Sequence, residues 1–158
     1  MTRPTWRETR LQMARDLGRR SLCDRDQVGA LITDVHGKVI GEGYNGPPSG
    51  FKHAGQRCAS WCARAKTHGE PLAVDYSDCP ALHAESNALM MSDRTLRLGG
   101  SLYVTSHVCL PCAKLIANSG LRYVYVESFK PYEHRRSEES YRFLKNCGLI
   151  VVVNGEPA

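Results

Sequence analysis

Two short motifs in this chain combine residue types that hold metals and move protons. One is His83-Ala84-Glu85 and the other is Cys109-Leu110-Pro111-Cys112. One imidazole and two thiolates supply three of the four ligands of a tetrahedral zinc. The fourth position stays open for water, as in a catalytic rather than a structural centre. Zinc lowers the pKa of such a water to roughly 7, which supplies a nucleophile at neutral pH. Glu85 follows His83 too closely in sequence to be expected as another ligand. It is well placed to take a proton from the water and pass it to a leaving group. The chemistry this suits is hydrolysis at an electrophilic carbon bearing an amine. Either motif alone is weak, since H-x-E arises by chance among six histidines and C-x-x-C also serves redox and structural sites. In this order, each opening a helix, the pair is specific.

The elements that must position these motifs follow from periodicity. Thr5 to Arg20 reads as a helix, with Trp6, Met13, Ala14 and Leu17 at helical spacing. VGALITD (28–34) and KVIGEGY (38–44) read as a hairpin turning at His36-Gly37. Asn45 to Gly50, rich in Gly and Pro, must be a loop. Residues 51–82 carry three cysteines and little core material, so the segment needs another source of order, such as a metal. Leu82 to Ser92 is a helix with Leu82, Leu89 and Met90 as expected core contacts. The strand SLYVT (101–105), a helix over Cys109 to Ser119 capped by Gly120, and the strand RYVYV (122–126) come next. A polar helix over Glu133 to Asn146 and the strand LIVVV (149–153) complete the reading. Helices and strands alternate in the second half, which predicts parallel pairing there. The expected fold is therefore α/β: a mixed five-stranded sheet flanked by helices, in one domain over residues 1–158 with a Cys-rich insertion at 51–82.

Composition narrows the function classes. A chain of 158 residues with 42% hydrophobic and 23% charged residues is long enough for one domain with a real core. No apolar run approaches a membrane span, and MTRPTWRETR lacks the apolar stretch of a signal peptide. A cytoplasmic protein is expected. The net charge of +5, with seven arginines between Arg3 and Arg25, suits an anionic small molecule or nucleic acid without selecting either; on charge alone a solvated basic helix face is preferred. Seven cysteines in a reducing compartment point to metal or catalysis rather than disulfides. Cys147 has no partner in this reading and is expected to be a small buried side chain.

His83-Ala84-Glu85 with Cys109-Leu110-Pro111-Cys112 resembles the zinc-dependent cytidine deaminase superfamily. Within it, four segments resemble the deoxycytidylate (dCMP) deaminases. SLCDRDQVGALI is similar to that family's Cys-x-Arg-x-x-Val-Gly segment, and GYNGPPSG to its Tyr-Asn-Gly-x-Pro loop. HAESNAL is similar to its His-Ala-Glu-x-Asn-Ala helix, and CLPCAKLIANSGLRYVYVES to its last motif. The likeness spans roughly residues 5 to 153.

This resemblance implies a three-layer cytidine-deaminase-like fold. It implies Asn45 as a contact of the nucleotide near its sugar and Arg25 as a phosphate contact. Many relatives hold a second, structural zinc, which implies Cys23, Cys58, Cys62 and Cys79 as a four-thiolate site here, with His53 the alternative fourth ligand. A homo-oligomer, a hexamer in the family pattern, is implied as well, with dCTP and Mg²⁺ activating and dTTP inhibiting. The chain departs from the family where proline precedes the first cysteine of the pair, since that position is Val108 and is preceded by His107. A freer backbone and a bulky imidazole there predict a reshaped pocket edge lined by His107, and a substrate that is either dCMP or a 5-substituted dCMP.

Three functional readings follow. The leading one is hydrolytic deamination of dCMP to dUMP with release of ammonia. The second is deamination within a polynucleotide such as tRNA. The GYNGPPSG loop, the Cys-bearing insertion and the lack of a basic-aromatic stacking stripe disfavour it. The third is a non-catalytic zinc module, which has no use for Glu85.

Overall fold

The structure, a computed structural model, describes residues 2–62, 79–128 and 137–158. Its elements are α1 (Trp6–Gly18), β1 (Gly29–Thr33), β2 (Val39–Tyr44), a 3₁₀ turn (Cys58–Ser60), α2 (Ala84–Met90), α3 (Arg94–Arg97), β3 (Ser101–Val104), α4 (Leu110–Ala117), β4 (Tyr123–Val126), α5 (Ser137–Asn146), β5 (Ile150–Val153) and β6 (Glu156–Pro157). The predicted start of the last helix, 133–136, lies outside the described residues, as does 63–78 of the Cys-rich segment.

The strands form one sheet in the order β2-β1-β3-β4-β5-β6. β1 is antiparallel to both β2 and β3, whereas β3-β4 and β4-β5 are parallel. The sheet is mixed, as the alternation of elements predicts. It has six strands rather than five, because Asn154-Gly155, both at positive φ, turns the chain back and adds the two-residue β6 against β5.

Side chains alternate across the pleat and divide the core in two. Ala30, Ile32, Leu102, Val104, Val124, Val126, Val151 and Val153 pack with Ala84 and Ala88 of α2, Ala113 and Ile116 of α4, and Tyr141 and Leu144 of α5. On the opposite face Leu31 and Tyr103 pack with Leu11 and Ala14 of α1. The result is helix, sheet and helix in three layers. Among the described residues no helix is long and apolar enough to cross a membrane.

The core faces of two helices differ from the expected ones, for one physical reason. Gly29 and Gly43 allow helices to lie unusually close to the strands. A Cβ on Gly29 would fall 1.7 Å from the Ala14 carbonyl oxygen. One on Gly43 would fall 2.5 Å from both Ala84 O and Ala88 N. At such approach the buried face of α2 must be small, so Ala84 and Ala88 fill it while Leu82 and Met90 turn outward, Met90 being 65% exposed. Leu89 packs against the core as expected. In α1 the buried stripe runs through Leu11, Ala14 and Gly18. Trp6 and Met13 are exposed instead, with the Arg10 guanidinium 4.8 Å from the Trp6 ring centroid. Cys147 is also exposed rather than buried, because it follows the last turn of α5 where the chain reverses at Gly148.

Candidate metal centre and nucleotide cavity

Both motifs deliver their ligands from helix N-caps. His83 is the N-cap of α2 and Cys109 the N-cap of α4, each with extended backbone, and Cys112 sits in the first turn of α4. Pro111 suits that first turn, where no intrahelical partner exists for its missing N–H. The partial positive charge of a helix start favours thiolate there.

The chain upstream fixes His83. Gly46 and Leu82 exchange two backbone hydrogen bonds, Gly46 N donating to Leu82 O at 3.1 Å and Leu82 N to Gly46 O at 2.8 Å. Asn87 Nδ2 donates to Tyr44 O at 2.8 Å and ties α2 to the end of β2. On the other side, Gly29 N donates to Thr105 Oγ1 at 3.0 Å and Thr105 N to Gly29 O at 3.1 Å, which anchors the segment leading to Cys109.

These constraints bring three donors together. His83 Nδ1 lies 3.3 Å from Cys109 Sγ and 3.3 Å from Cys112 Sγ. Among the described residues, this is the group of three or more potential ligands whose donor atoms all lie within 4.8 Å of one another. Bonds of 2.0–2.1 Å to nitrogen and 2.3 Å to sulfur place tetrahedral ligand atoms about 3.5 Å apart, so the donor set fits zinc. The two thiols share one negative charge. A hydrogen bond from Cys112, and then His83, bring Cys109 down to about 4 against the cost of burial. Cys112 is pushed far up, first by that same bond to Cys109 and then by burial. A bound dication removes this conflict by deprotonating both.

Glu85, 4% exposed, shares a cavity of about 260 Å³ with His83 and Cys109. Asn45 and Arg25 line the same cavity, as do Cys23, Cys58, Cys62 and Cys79. Asn45 uses its amide on the chain itself: Val28 N donates to its Oδ1 at 2.9 Å and its Nδ2 donates to Asp26 O at 2.8 Å. Arg25 is exposed at this cavity.

His107 is placed differently from expectation. It is 2% exposed, its Nδ1 lies 2.6 Å from the Tyr141 hydroxyl, and it is not among the residues lining the cavity. Val108 is wholly buried in the main core. The side-chain argument for a reshaped pocket edge therefore falls away. Sequence reasoning also missed Asp26 and Trp61, which line the cavity. Nothing in their local pattern distinguishes them from surface residues.

The four other cysteines that line the cavity, Cys23, Cys58, Cys62 and Cys79, do not form a compact cluster. Cys62 Sγ and Cys79 Sγ are 3.8 Å apart, and Asp24 N donates to Cys58 Sγ at 3.1 Å. Burial, with Cys23 alongside, pushes the Cys58 thiol up to about 12, and burial beside Cys62 pushes Cys79 up to about 11. Asp24 also accepts from Ala59 N at 2.8 Å and pairs with Arg57, which closes the 3₁₀ turn onto the segment before β1. His53 Nδ1 accepts from Gly55 N at 3.1 Å within its own turn.

Nitrogen and thiolate donors select zinc over harder cations, and a buried carboxylate on the same cavity suits hydrolysis. Fold and centre together thus define a zinc hydrolase of the deaminase type. Residues 4–128 match the family model for the cytidine and deoxycytidylate deaminase zinc-binding region, and the chain belongs to that family. It is 42% identical over 130 residues to the deoxycytidylate deaminase of Mycobacterium phage D29, covering 79% of this chain and 97% of the phage protein. It is 32% identical over 154 residues to the deoxycytidylate deaminase of Saccharomyces cerevisiae, of which it spans 45%. The dCMP deaminase of cyanophage S-TIM5, solved in complex with dCMP and dUMP, superposes with a TM-score of 0.69 at 26% identity. That match covers 97% of this chain and 99% of the cyanophage one.

Proposed function

We propose that this chain hydrolyses dCMP to dUMP and ammonia at the centre formed by His83, Cys109 and Cys112. The observation that carries the reading is His83 Nδ1 at 3.3 Å from both thiol sulfurs, with Glu85 buried on the same cavity. His83, Cys109 and Cys112 would hold a zinc ion, which would supply a water of pKa roughly 7 and a Lewis acid. The protein's own residues do the rest. Glu85 takes a proton from the water that attacks C4 of the cytosine. It then delivers that proton to the departing amino nitrogen, so one carboxylate serves as base and then acid. Burial of Glu85 excludes bulk water from this transfer. The bidentate hold of Asn45 on residues 26–28 keeps the cavity wall fixed, and Arg25 is assigned to the phosphate.

A second zinc held by Cys23, Cys58, Cys62 and Cys79 is part of the proposal. The 3.8 Å between Cys62 Sγ and Cys79 Sγ supports it, since tetrahedral thiolates on one zinc lie about 3.8 Å apart. The family resemblance supports a single deaminase domain over residues 1–158, a homo-oligomer of hexameric type, and a cytoplasmic enzyme activated by dCTP with Mg²⁺ and inhibited by dTTP. Incubating the zinc-loaded protein with dCMP and following ultraviolet absorbance tests the central claim. Conversion to dUMP with equimolar ammonia is expected, and no turnover overturns it.

A further inference from the structure

Ser86 Oγ and Cys112 Sγ lie 3.7 Å apart, within hydrogen-bond reach of a sulfur. Cys112 is 3% exposed, and neither residue is among the described residues that line the cavity. The contact follows from the helix. His83 and Ser86 are three residues apart, so the N-cap ligand and the serine in the first turn of α2 share one face. A serine in a helix commonly turns its hydroxyl to the carbonyl four residues back. For Ser86 that is Leu82 O, which accepts from Gly46 N at 3.1 Å, and the hydroxyl meets Cys112 Sγ instead. Helix α2 thus supplies one ligand and, three residues on, a polar group set against a ligand from α4.

Between a hydroxyl and a free thiol either atom can donate. A cysteine that ligates zinc is a thiolate and has lost its proton. The bond then has one direction, with the Ser86 O–H donating to the sulfur. A hydrogen bond to an ionised acceptor is roughly twice as strong as a neutral one. The other sulfur is served differently, since Cys109 Sγ accepts the backbone N–H of Cys112. Groups that hydrogen-bond metal ligands orient them and tune the metal. Resting on the zinc centre proposed above, we infer that Ser86 is a positioning residue whose hydroxyl donates to the Cys112 thiolate, holds that sulfur toward the metal and draws off part of its charge.

The test replaces zinc by Co²⁺, whose bonds to thiolate give charge-transfer bands in the near ultraviolet. Bands present in the wild type and absent in Cys109→Ala belong to this centre. In Ser86→Ala they are expected to move to longer wavelength, because a sulfur relieved of a proton donor gives up charge more readily. Zinc affinity, measured by chelator competition, is expected to fall about ten- to a hundredfold. Ser86→Thr keeps the hydroxyl and is expected to keep the wild-type bands. Ser86→Val has the shape of threonine without the hydroxyl and is expected to behave as the alanine variant. Wild-type bands in Ser86→Ala overturn the inference even where affinity falls, since lost packing would weaken binding without moving them. If the alanine variant does not fold, equal bands in Ser86→Thr and Ser86→Val overturn it. Wild type without bands that depend on Cys109 counts against the metal centre itself. Unmoved bands in a Co²⁺-loaded variant count against Ser86 alone.

Discussion

The Nδ1 atom of His107 and the hydroxyl of Tyr141 lie 2.6 Å apart inside the protein, 34 residues apart in sequence. The bond joins α5 to the segment between Thr105 and Cys109, so a helix that supplies none of the three metal ligands helps fix one of them. Both residues are buried, His107 at 2% and Tyr141 at 5% exposure.

Tyr141→Phe keeps the ring in the core and removes the hydroxyl. Loss of one buried hydrogen-bond partner is expected to cost about 1–3 kcal/mol. The urea midpoint should fall with an unchanged m-value, and zinc should be lost to chelator at lower chelator concentration. Equal midpoint and equal chelator sensitivity in mutant and wild type would show that the bond does not support Cys109.

Glu85→Ala separates metal binding from chemistry. The three donors, His83 Nδ1 and the two sulfurs each 3.3 Å from it, do not include the carboxylate. Zinc content should therefore stay at the wild-type value while turnover of dCMP falls by about 10²–10⁴-fold, the usual contribution of a positioned acid–base group. Loss of zinc along with activity would make Glu85 a support of the metal rather than a proton carrier.

Gly43→Ala tests the close approach of α2 to β2. The added Cβ would meet Ala84 O and Ala88 N at 2.5 Å, and both are backbone atoms that cannot rotate away. Displacing α2 moves His83 and Glu85 together. A destabilisation of roughly 1–3 kcal/mol is expected, with a lower kcat for dCMP. Stability and kcat both at wild-type values would mean that α2 can shift without disturbing the centre.

That close approach also explains what sequence reading could and could not reach. The metal ligands were legible because the chemistry demands particular residue types at particular spacings, and helix-start signals put them on N-caps. The strand alternation was legible for β3 to β5 because each is a short apolar run. The rotation of α1 and α2 was not, because glycines on β1 and β2 set the distance to the sheet and so made Ala84 and Ala88, rather than Leu82 and Met90, the core residues. The turn to β6 was signalled by Asn154-Gly155 but the pairing strand is only two residues long. His107 looked like a polar pocket residue because its partner, Tyr141, is invisible to local pattern.

Cys79→Ala addresses the second zinc. Without metal, burial holds Cys58 and Cys79 well above ordinary thiol values, so both are protonated at neutral pH. A dication would draw those protons off and bind the sulfurs, coupling metal uptake to folding. Two zinc ions per wild-type chain are expected by elemental analysis, and one in Cys79→Ala, with His83, Cys109 and Cys112 still occupied. The variant should also unfold earlier. A metal worth even about 3 kcal/mol to the folded state shifts the midpoint of a chain this size by roughly 6–12 °C. Cys79 is not one of the three donors at the catalytic centre, so residual turnover of dCMP is expected below the new midpoint. One zinc per wild-type chain, or equal zinc content and equal midpoint in wild type and Cys79→Ala, would remove the second site and leave the four cysteines as free thiols lining the cavity.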